Sequence, residues 1–119
     1  SKDKRITTIV LDKNADRKVR MMANYKGVSM AEVYRQAIDI AFKDFVKHEL
    51  FYEVTGIQNG LSSRGIEIAR LSELHQLVKD ENFTEAAMVI NECLVVAKTI
   101  PAGEEIVKKC LNLLRLFSY

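Results

Sequence analysis

The chain has 119 residues, 48% of them hydrophobic and 29% charged, with one proline and five glycines. This composition excludes a disordered or low-complexity polymer and fits one ordinary domain or two small modules. Neither the two cysteines, Cys93 and Cys110, nor the two histidines, His48 and His75, fall in a paired-ligand spacing, which argues against a metal motif. The formal net charge is +2, yet residues 1–26 hold eight Lys or Arg against three Asp or Glu, while residues 50–119 hold seven against nine. A basic front suits a polyanionic partner, and a mildly acidic remainder suits a protein partner.

Residues 4–11 are rich in β-branched side chains, and the run Ile6, Thr7, Thr8, Ile9, Val10 predicts a strand. A lone strand needs a partner for its backbone groups, so the expectation is an antiparallel pairing with the same strand of a second copy. Asp12 then caps a helix over about Lys13–Lys26, with Asp16 in its first turn. Ala15, Val19, Met22 and Ala23 recur on one face, and Lys13, Arg17, Lys18 and Arg20 fall on a face read as solvated. Gly27 supplies a left-handed stop, and Ser29 with Glu32 forms a capping-box pattern for a second helix from Met30. Its apolar residues, Val33, Tyr34, Ala37, Ile38, Ala41, Phe42 and Phe45, make a stripe too broad for a single neighbour, and dimer packing is expected to cover it.

Thr55-Gly56 and Asn59-Gly60 predict a joint, followed by a helix from Ser62 or Ser63 to Lys79. Asp80 to Asn82 interrupts, a helix over about Phe83–Lys98 is apolar on nearly every face, and Pro101 with Gly103 precedes a last helix from about Glu104 to Phe117. These helices hold more apolar surface than a small bundle buries, which points to an oligomerisation or partner-docking module. Two domains are expected: residues 1–48, with the basic charge and a strand that pairs across a dimer, and residues 61–119 for assembly. Cys93 and Cys110 read as buried small hydrophobes.

A strand, a basic helix, a Gly27-Val28-Ser29 turn and a second helix bearing Ala31-Glu32-Val33-Tyr34-Arg35-Gln36-Ala37-Ile38 together resemble the ribbon-helix-helix DNA-binding superfamily over residues 1–46. The fold class is thus expected to be mainly α, with an N-terminal ribbon-helix-helix and a C-terminal helical bundle. The resemblance implies a dimeric β-ribbon in the major groove of double-stranded DNA. Counting back from Leu11 as a core residue turns Lys4, Ile6, Thr8 and Val10 toward the bases. Counting by polarity selects Arg5 and Thr7 instead. The helix-anchored register is preferred, because a slip of one residue would displace Leu11 from the first helix. Phosphate contacts are implied for Lys2, Lys26, Val28, Ser29 and Met30, around the start of the second helix.

No glycine-rich phosphate loop, no cluster of His and carboxylates and no nucleophile with a base is present, so neither an enzyme nor a cofactor is expected. The leading role is a cytoplasmic transcriptional repressor that works as a homodimer, with assembly to a homotetramer. A second role is that of an accessory protein of plasmid DNA processing, either a conjugation relaxosome component that binds near a transfer origin and offers its C-terminal helices to a relaxase, or a partition protein. An antitoxin ranks third, because residues 61–119 read as a packed module rather than a loose tail. No signal peptide or membrane-spanning run is found.

Overall fold

Asp12 ends an irregular N-terminal segment by capping the first helix, its Oδ1 accepting from the Ala15 N–H at 2.7 Å. The computed structural model describes residues 4–6 and 8–119. Helix α1 spans Lys13–Lys26 and α2 Met30–Phe45, followed by a π-helical turn at Val46–Leu50 and α3 at Phe51–Ser62. A 3₁₀ turn at Leu71–Glu73 leads into α4 (Leu74–Lys79), α5 (Phe83–Ala97) and α6 (Glu104–Phe117).

The expected N-terminal ribbon strand is a correction: no β-strand occurs among the described residues, and residues 4–6 and 8–12 have irregular backbone. Only the mainly helical character matches the expected fold class. A strand is defined by the ladder of hydrogen bonds it shares with a neighbour, and the β-branched composition of the segment is a weak preference that cannot supply that neighbour within one chain. A second correction concerns the joint expected at Thr55-Gly56 and Asn59-Gly60, since both glycines lie inside α3. They serve close packing instead. A Cβ on Gly60 would lie 2.9 Å from the Ile106 side chain, and one on Gly56 would lie 3.0 Å from that of Lys109. Glycines spaced by four residues on one helix face thus let α6 approach α3. The break falls at residues 63–70, where Gly65 (φ 71°) and Arg70 (φ 65°) take left-handed conformations.

The chain divides into two compact units, Ser1–Ala41 and Phe42–Tyr119, with the boundary inside α2. In the first, the buried side chains are Val19, Ala23 and Val33, with Leu11, Val28, Met30 and Tyr34 packed partly against them. In the second, α5 lies along α6, α6 against α3, and α4 against α5. Ile57, Leu61, Leu74, Ile90 and Leu113 are fully buried at its centre. Cys93 and Cys110 are free thiols in that core. No helix of the described residues is long and apolar enough to cross a membrane.

Candidate nucleic-acid interface

The turn between α1 and α2 is built by hydrogen bonds that the local sequence dictates. Gly27 is left-handed (φ 67°), its N–H donates to the Asn24 carbonyl, and the Val28 N–H donates to the Ala23 carbonyl at 3.1 Å. This is a Schellman closure, with Val28 packed on the Val19, Ala23 and Val33 cluster. Ser29 Oγ accepts from the Glu32 N–H at 3.1 Å, and the Ser29 carbonyl accepts from the Val33 N–H at 3.2 Å. The Glu32 carboxylate turns to Arg35, 2.7 Å from Nη1, so the capping box is filled from the serine side. The backbone N–H groups of Met30 and Ala31 open α2 and have no acceptor within the helix by its geometry.

Of the residues expected at phosphates, Ser29 and Met30 therefore stand at a helix N-terminus, while the Val28 N–H is already committed to α1. Lys26 is held beside this turn by a 2.7 Å hydrogen bond from its Nζ to Gln36 Oε1. Gln36 was not anticipated as part of the site. Ten residues separate it from Lys26, and only the packing of α2 on α1 brings the two together. Lys2 lies outside the described residues.

Of the residues expected at bases, Lys4, Arg5, Ile6, Thr8 and Val10 are all exposed, and Thr7 lies outside the described residues. Ile6 and Val10 are almost wholly accessible, Ile9 is about half so, and Leu11 is partly buried against the first helix pair. The basic face of α1 is solvated: Lys13, Arg17, Lys18 and Arg20 are exposed. Arg20 is tied to Asp16 at 2.8 Å, and the hydrogen bond, followed by the charge of Asp16, holds the guanidinium above its ordinary pKa.

The first unit also exposes a second feature. The stripe of α2 that begins at buried Val33 continues bare through Ala37 to Ile40, which is 68% accessible, and Ile38 on the adjoining face is 64% accessible. On α1, Met21, Met22 and Tyr25 are exposed as well. Among the described residues no group of three or more His, Cys, Asp or Glu is placed to hold a metal ion. Comparison with known proteins finds no family model, no curated protein and no solved structure that matches this chain.

Proposed function

We propose that the protein binds a specific double-stranded DNA site as a homodimer through its N-terminal unit and acts as a transcriptional repressor. The observation that carries the reading is the pairing of two surfaces on one small unit. An exposed basic segment with Lys4, Arg5 and Thr8 precedes a capped helix start flanked by Lys26, and the apolar stripe of α2 stands uncovered at Ile38 and Ile40. A unit whose buried core among the described residues is three side chains is too small to be stable alone, and a second copy supplies the missing apolar contact by two-fold symmetry. The helix, Gly-Val-Ser turn and helix that resemble the ribbon-helix-helix superfamily support the same reading. In it, Lys4, Ile6, Thr8 and Val10 meet base edges, while Lys26, Ser29 and the Met30 N–H meet phosphates.

The test is selection of DNA from a random duplex pool on the full chain, followed by titration of the selected duplex and a scrambled one at several salt concentrations. The expected result is a preference of roughly a thousandfold or more for the selected site, with affinity falling steeply as salt rises. Equal affinity for both duplexes would remove the sequence-specific reading. A plasmid-transfer accessory role is the second reading, favoured by the folded second unit, where Met88 (62%) and Val95 (66%) form an exposed apolar pair one face of α5 presents outward. In that reading the pair docks a relaxase or joins two dimers.

A further inference from the structure

We propose that the second unit binds a small amphipathic carboxylate, an apolar body carrying a single negative charge, in a cavity beside the π-helical turn. The cavity has a volume of about 540 Å³ and lies wholly within this unit. That is the size range of small-molecule sites. Its apolar side is formed by Phe42, Val46 and Phe51, and its rim carries Lys43, Lys47 and Lys79.

The backbone at the cavity departs from regular helix in two places. At Val46–Leu50 the chain widens into a π turn, with the Phe51 N–H donating to the Val46 carbonyl five residues back, a rare geometry that recurs at functional sites. This turn sets Val46, Lys47 and Phe51 around the opening. Across it, α4 ends in a closure where the Asn82 N–H donates to Leu77 and the Glu81 N–H to Val78, and Glu81 itself is left-handed (φ 57°). A glycine would take that conformation without strain, so a glutamate there keeps a carboxylate at the rim against a local cost. Phe51 is fixed from behind by an edge-on contact with His75, ring centres 4.9 Å apart. His75 is in turn 3.0 Å from Thr55 Oγ1.

Charge selects the ligand. Three exposed lysines and two exposed acidic residues, Asp80 and Glu81, line the cavity, and Asp80 already accepts a 2.9 Å hydrogen bond from Gln76. One unit of positive charge is left over. None of the three lysines forms an ion pair among the described residues, although two carboxylates share their cavity. A monoanion completes that balance, and a dianion such as a phosphate monoester would overshoot it. The phenylalanine rings favour an apolar, preferably aromatic, body, whose burial removes water from the lysines' surroundings and strengthens their attraction for the charged head.

The experiment titrates the full chain, without DNA, with phenylbutyrate, phenylbutanol and acetate in a calorimeter, so its outcome is independent of the DNA reading. Phenylbutyrate is expected to bind saturably, with phenylbutanol roughly tenfold weaker and acetate undetectable. Lys43→Gln and Lys47→Gln are each expected to weaken phenylbutyrate by roughly fivefold, the worth of one partly exposed charge contact, and to leave phenylbutanol unchanged. Glu81→Gln is expected to tighten it. Because these side chains are at the rim, circular dichroism should show unaltered helicity in all three variants. Equal binding of the acid and the alcohol, indifference to the lysine substitutions, or no binding of phenylbutyrate at all would each overturn the proposal.

Discussion

Thr8 is exposed, short, and both donor and acceptor, which makes it the side chain of the N-terminal segment with the most to offer a base edge. Thr8→Ala is expected to lower discrimination between the selected and scrambled duplexes by about 1–3 kcal/mol while leaving affinity for the scrambled one unchanged. If Arg5→Ala changes discrimination and Thr8→Ala does not, the reading face is the other set. The two thiols make an opposite prediction. Burial, and next the charge of Glu92, pushes Cys93 up to about 11, while burial followed by the neighbouring Cys93 pushes Cys110 up to about 12. Both should resist iodoacetamide at neutral pH in the folded protein and react on unfolding in urea, as read by mass spectrometry. The raised values also set a sign for alkaline stability. Below the ordinary thiol value of 9.0 both states keep their protons, and as pH climbs toward about 11 and 12 the unfolded chain ionises first, so the melting temperature should fall across that window.

Among the elements, α3 tests how glycine is used inside a helix. A methyl at Gly56 meets the flexible stem of Lys109, which can move, whereas a methyl at Gly60 meets Ile106, a core side chain only 4% accessible. Gly56→Ala is therefore expected to change stability by less than about 1 kcal/mol, because the helix-propensity gain offsets the displaced lysine. Gly60→Ala is expected to cost about 1–3 kcal/mol by overpacking the α3 and α6 contact. Urea denaturation followed by circular dichroism separates the two. Equal effects would mean that the glycines do not mark the approach of α6. In the sequence, Thr55-Gly56 and Asn59-Gly60 carry the local signature of turns, and nothing near them in the chain announces a helix some fifty residues later that needs the space. Both ends of α1 and the starts of α2 and α6 were legible because their signals act over three or four residues: Asp12 on Ala15, Gly27 on Asn24, Ser29 on Glu32, and Pro101 with Gly103 ahead of Glu104.

For the whole molecule, the uncovered stripe of α2 predicts obligate association. Ile40→Glu places a charge where the proposed second copy packs, and it should shift the full chain from dimer to monomer in sedimentation and reduce DNA affinity more than tenfold. An unchanged dimer would assign that face another use. Sequence alone determined the helical class, the caps and the apolar stripes, because each follows from periodicity and from hydrogen bonds between near neighbours. It determined the basic front end as well, since charge is counted rather than folded. Tertiary structure alone decided that residues 4–6 and 8–12 form no strand among the described residues, and that two glycines serve packing instead of turning. The same long-range packing set Gln36 against Lys26 and gathered Lys43, Lys47 and Lys79 around one cavity. Each of these depends on residues brought together from distant parts of the chain, and no local pattern specifies where such segments meet.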